Sequence, residues 1–113
     1  MTDLEMTRLC AEAMRITLYP WKSGAGFFHY GGSDANGIED YDPLHDDAQA
    51  MALDGWMLSA GLGFVFSPNH ASFYWQSSGV EIYRALADMT QPNNRRRARC
   101  TCVAQMQAAK EKS

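Results

Sequence analysis

From Leu62 to Trp75 the chain alternates between apolar and other residues. Leu62, Phe64 and Phe66 mark one run, Phe73 and Trp75 the next, and Ser67-Pro68-Asn69-His70 lies between them. A period of two places one side of each run in a core, and Ser, Pro and Asn favour a turn. The stretch predicts an antiparallel hairpin, roughly Gly61–Ser67 and Ala71–Gln76. An isolated hairpin is only marginally stable in water, so other elements must cover this one. After a turn at Ser77-Ser78-Gly79, Val80–Met89 fits two periods. Val80, Ile82, Arg84 and Leu86 alternate, whereas Val80, Tyr83, Leu86 and Ala87 recur at helical steps. A third meander strand is preferred, because it extends the hairpin directly.

Three helices are predicted around this sheet. Thr2 and Glu5 have capping-box spacing, and Leu4, Leu9, Cys10, Ala13 and Met14 form an apolar stripe, so a helix is expected from Asp3 to Arg15. Pro20 prevents its continuation. Asp42-Pro43 combines a favoured N-cap with a favoured first helical residue, which predicts a second helix over Pro43–Asp54 with Gly55 as its C-cap. Pro92-Asn93-Asn94 precedes a third, Arg95–Lys110, whose buried stripe is Ala98, Cys102, Met106 and Ala109 with Val103 beside it. The segment between the first two helices, rich in Gly, Ser, Asp and aromatics, reads mostly as loop, with a short strand at Phe27–Tyr30. The expected architecture is α+β: a small antiparallel sheet in two layers with N-terminal, middle and C-terminal helices.

A chain of 113 residues suits one domain, 1–113, with one core. Its apolar runs are shorter than the roughly 18 residues a membrane span needs. The N-terminus lacks the basic-then-apolar layout of a secretion signal, so a cytoplasmic location is expected. Cys10, Cys100 and Cys102 are odd in number and form no CxxC pair, so buried free thiols are expected rather than disulfides or a zinc site.

Charge is distributed unevenly. No Lys or Arg occurs between Ser23 and Tyr83, a stretch that holds Asp34, Glu39, Asp40, Asp42, Asp46, Asp47, Asp54 and Glu81. The C-terminal part holds Arg95, Arg96, Arg97, Arg99, Lys110 and Lys112. Two binding sites follow as candidates. Asp34, Glu39, Asp40, Asp46 and Asp47 form an acidic face suited to a basic protein groove. Arg95, Arg96, Arg97 and Arg99 crowd the start of a helix, where a phosphate would offset them, so nucleic acid is the alternative partner. Against that alternative stands a net charge of −3. Asp42, His45, Asp46 and Asp47 are metal-ligand types in close sequence, but acids at a helix start serve the helix itself, and no metal or cofactor is expected. No GxSxG elbow, phosphate loop or HExxH occurs, and no enzyme is expected.

Two segments also carry a family resemblance. Tyr41-Asp42-Pro43-Leu44-His45-Asp46-Asp47 leads into the Ala-rich stretch Ala48–Leu53, and Asn94–Met106 forms a closing helix. With the N-terminal helix and the aromatic hairpin, this layout resembles small phage and prophage proteins of the ABA-sandwich family, related to the NinX-like proteins of lambdoid phages. The resemblance implies a compact α+β domain encoded by a phage or prophage and implies no activity; the function expected is that of a non-enzymatic accessory protein that binds a host or phage macromolecule. One version is an anti-defence inhibitor, similar to those that block CRISPR effectors, using the acidic face. Arg99 departs from the pattern, since an apolar residue is expected there beside Val103 and Met106. Either its stem snorkels or the helix is rotated against the sheet.

Overall fold

A computed structural model describes residues 1–20, 26–30 and 38–111. The elements run α1 (Asp3–Ala13), β1 (Tyr19–Pro20), β2 (Phe27–Tyr30), β3 (Ile38–Tyr41), α2 (Asp47–Ser59), β4 (Leu62–Ser67), β5 (His70–Trp75), β6 (Glu81–Leu86) and α3 (Pro92–Glu111). The fold is α+β, as the patterning predicted, with two antiparallel three-stranded sheets, β1-β2-β3 and β4-β5-β6.

The predicted hairpin is β4–β5. Ser67 pairs with His70 across a two-residue turn, and Phe64 pairs with Phe73. Val80–Met89 resolves as strand: β6 pairs with β5, Ala71 against Ala85 and Phe73 against Tyr83. Phe64, Phe66, Phe73 and Tyr83 form a run of ring contacts, with centroids 5.8–6.2 Å apart. The register shifts at the Phe73–Tyr74 step, where Tyr74 pairs with Glu81, so the edge strand bulges at Ile82. Glu81 then accepts hydrogen bonds from Ser72 Oγ (2.6 Å) and Arg84 Nε (3.1 Å) on the other side of the sheet.

Helix α1 begins as its capping spacing predicted, with the Thr2 hydroxyl accepting from the Glu5 amide at 3.1 Å. It ends at Ala13, and Arg15 takes the left-handed conformation (φ 59°) that closes the helix. The boundaries of α2 differ from the prediction. Asp42-Pro43 opens a turn, with the amides of His45 and Asp46 donating to the Asp42 carbonyl. The cap is Asp46, whose side chain accepts from the Gln49 amide, and the helix runs through Gly55 to Ser59. Gly61 (φ 90°) supplies the left-handed residue after it. Helix α3 starts three residues earlier than expected, at Pro92.

Helix α3 packs against α1, α2 and β5. Its buried residues are Ala98, Cys100, Cys102, Val103 and Ala104; Met106 is half-buried and Ala109 exposed. They meet Leu9 and Cys10 of α1, Leu53 and Met57 of α2, and Leu62, Ala71 and Phe73 of the second sheet in one core. On α1, Met6 and Ala11 take core positions and Leu4 is 46% exposed, so the stripe is rotated from the predicted one. The first sheet falls in a segment read mostly as loop. Only β2 was predicted, and β1 and β3 flank it, with Phe27 paired to Tyr41 and Phe28 to Asp40. Tyr41 carries this sheet into the core.

Candidate functional site

The two charge pools meet. Arg96 reaches from α3 to Asp47 at the start of α2, Nη1 to Oδ1 at 2.5 Å, and its Nε donates to the Leu44 carbonyl at 3.0 Å. Arg99 Nε donates to Asp54 Oδ1 at 2.8 Å, with both side chains mostly buried, and its guanidinium lies 4.7 Å from the Phe66 ring centroid. Arg97 pairs with Asp3 at 3.0 Å on the surface. Arg95 donates to the Met89 carbonyl at 2.8 Å and so ties down the loop between β6 and α3. The charge on Arg99 thus sits at a near-core position because its stem snorkels to a counter-ion on α2. Each of the four arginines named as a phosphate site has a partner within the chain.

The acidic residues are less fully answered. Asp34 lies outside the described residues. Glu39 and Asp40 are exposed on β3, and Asp46 and Asp47 are exposed at the start of α2. Gln49 links the two elements: its side-chain amide donates to the Asp40 carbonyl at 2.6 Å, and its Oε1 accepts from the Asp42 amide at 2.6 Å. The carboxylates therefore follow one ledge along the β3–α2 joint. Among the described residues, Asp40 and Asp46 have no cationic partner.

Below this ledge lies a cleft of about 450 Å³ between α1, β2, β3 and the turn that precedes α2. Leu4, Phe27, Tyr41 and Leu44 give it an apolar lining, and Asp3, Asp40 and Asp42 give it carboxylates. His45 joins the lining, with Nδ1 2.8 Å from Asp42 Oδ2. Sequence reasoning singled out the carboxylates but not the cleft, because α1 and the first sheet form it only once folded. Leu4, which the helical periodicity assigned to the core, is exposed and lines the cleft instead.

The cleft combines apolar surface with carboxylates and one imidazole. A carboxylate-oriented imidazole is one part of a nucleophilic site, but among the described residues no hydroxyl or thiol hydrogen-bonds His45. The thiols lie elsewhere, in the core. The contact with Cys100, together with burial, pushes the Cys10 pKa far up, and burial pushes Cys102 up to about 12, so both are held as inert thiols. Among the described residues no three His, Cys, Asp or Glu side chains converge as a metal site, and no helix is long and apolar enough to cross a membrane. Comparison with known proteins found no matching family model, and no curated protein or solved structure with significant similarity.

Proposed function

We propose that the chain is a phage or prophage accessory protein that works by binding, without catalysis, and that its acidic ledge and cleft receive a cationic segment of a host or phage protein. The observation that carries this reading is the imbalance between the charge pools. The arginines are engaged inside the chain, while Asp40 and Asp46 face solvent beside an apolar-lined cleft. A Lys or Arg side chain has an apolar stem and a charged head, and the cleft offers a matching surface for each. Steering by exposed carboxylates acts mainly on the rate of association and weakens with salt. The nucleic-acid alternative loses its main support, because a phosphate would have to compete with Asp47, Asp54 and Asp3 for the guanidiniums.

A fluorescently labelled peptide of alternating Lys and Leu is a direct probe, followed by capture from host lysate. The wild-type chain is expected to bind the peptide with an affinity that falls as salt rises from about 50 to 500 mM. Asp40→Lys should weaken it about tenfold or more, and Leu4→Ala should weaken it at constant salt dependence. Binding that is indifferent to both substitutions and to salt would refute the proposal.

A further inference from the structure

Helix α2 is apolar on more sides than the described residues cover. Ala50, Leu53 and Met57 face the core. Its two acids are turned to the flank where α3 supplies Arg96 and Arg99. The remaining face is Ala48, Met51, Ala52, Gly55, Leu58 and Ser59, all exposed, with Met51 at 59% and Leu58 at 52%. At about 100° per residue these six fill an arc of about 120° centred on Gly55. A helix facing water ordinarily carries its charged residues there, and this one carries none. Gly55 also costs the helix about 1 kcal/mol relative to Ala. No contact among the described residues explains it, since a Cβ there would meet none of their atoms within 4 Å.

We propose that a second copy of this chain covers this face, with the two α2 helices antiparallel about a two-fold axis near the middle of the helix. An axis between Leu53 and Asp54 sets Ala52 opposite the second copy's Gly55 and Ala48 opposite its Ser59. Small residues at the crossing let the backbones approach closely. The axis also brings like flanks together. On one flank Met51 and Leu58 close against Leu58 and Met51 of the second copy.

The other flank fixes the direction. Glu39 lies beside the Ala48 end of α2, across a small groove it shares with Ala48 and Ala52. Arg15 and Lys110 lie beside the Ser59 end, where Lys110 Nζ is 5.8 Å from the Trp56 ring centroid. Antiparallel docking therefore places the acidic end of each copy beside the basic end of the other, whereas parallel docking would oppose like charges. This surface shares Glu39 with the acidic ledge but neither Leu4 nor Asp40, so Gly55→Arg tests it without touching the cleft, and Leu4→Ala and Asp40→Lys test the cleft without touching this face.

Sedimentation of the full chain across about 5–500 μM, at low and high salt, tests the proposal. Wild-type mass should approach twice the 12.6 kDa of one chain as concentration rises. Gly55→Arg, a side chain with open space in the single copy, should keep the circular dichroism and the cooperative unfolding but shift the dimer midpoint at least about tenfold upward. Arg15→Glu with Lys110→Glu should weaken association comparably, and adding Glu39→Arg to the same chain should restore it. A wild-type chain that stays single at all concentrations, a Gly55→Arg variant that associates as tightly as wild type, or a triple charge variant no tighter than the double would each overturn the proposal.

Discussion

The Arg99–Asp54 pair is the sharpest energetic feature of the fold, because a charge stands where the helix period asks for an apolar side chain. Two opposite charges about 4 Å apart attract by about 4 kcal/mol at an effective dielectric constant of about 20, before desolvation is counted. Arg99 and Asp54 keep only 14% and 21% of their side-chain surface exposed, so desolvation offsets a large part of this. Removing one partner leaves the other charge poorly hydrated and unpaired. Asp54→Asn should therefore destabilise by about 2–3 kcal/mol. Arg99→Met keeps the stem on Phe66 and should cost about 1–2 kcal/mol. The double variant should cost clearly less than the sum, with a coupling of about 1.5–2 kcal/mol. Urea unfolding followed by circular dichroism, at one fixed protein concentration, measures the cycle. With a slope of about 1–1.5 kcal/mol per molar urea, Asp54→Asn should lower the midpoint by about 2 M. Coupling below about 0.5 kcal/mol, or coupling abolished by about 1 M salt, would show that the pair behaves as a solvent-screened surface pair.

Cys102 and Cys10 should resist thiol reagents in the folded chain and react only at the rate of global unfolding. Because their pKa values are raised by folding, stability should decline as pH rises above about 9, by about 1.4 kcal/mol per pH unit for each thiol, and Cys102→Ala should make that decline shallower in urea titrations. The Ser72 hydroxyl, and after it Arg84, hold the Glu81 carboxyl below its usual range, so this group contributes stability above the ordinary carboxylate pKa and loses it as pH falls through the folded value. Comparing urea midpoints near pH 6 and pH 3, Glu81→Gln should lose less than wild type does; an equal loss would contradict the assignment. Gly61→Ala, at φ 90°, should destabilise by about 1 kcal/mol in the same assay.

The second sheet and the helices were legible where side-chain period and local chemistry agree. Leu62, Phe64 and Phe66 alternate, and Thr2 caps α1 as its spacing requires. Of the first sheet only β2 was legible, because β1 has two residues and β2 and β3 have four each. Neither Phe27–Tyr30 nor Ile38–Tyr41 shows a clear alternation, and their pairing depends on a long-range register. Helix α2 was misplaced by its strongest local signal. Asp42-Pro43 has the chemistry of a helix start, yet Gln49 claims the Asp42 amide from seven residues away, and Asp46 caps the helix instead. Gly55 reads as a C-cap in sequence, but its surroundings are open and the helix passes through it. Of the candidate site, the carboxylates were visible and the cleft was not.

The same long-range pairing explains the lopsided charge of the chain. Arginines in the first turns of a helix oppose its dipole, so Arg95–Arg99 needed an answer that local sequence could not supply. The answer comes from Asp3, Asp47 and Asp54, which are 94, 49 and 45 residues away, and from the Met89 carbonyl. Asp47 gains on both counts, since it sits at the favourable end of its own helix and beside a guanidinium. The arginines thus join α1 and α2 to α3, and the basic patch is spent on folding. Among the described residues, Asp40 on β3 and Asp46 at the turn into α2 are left without a cationic partner, next to an apolar-lined cleft. A negative excess left over after the structural pairs are formed is a stronger indication of a cationic partner than the same acids counted along the sequence.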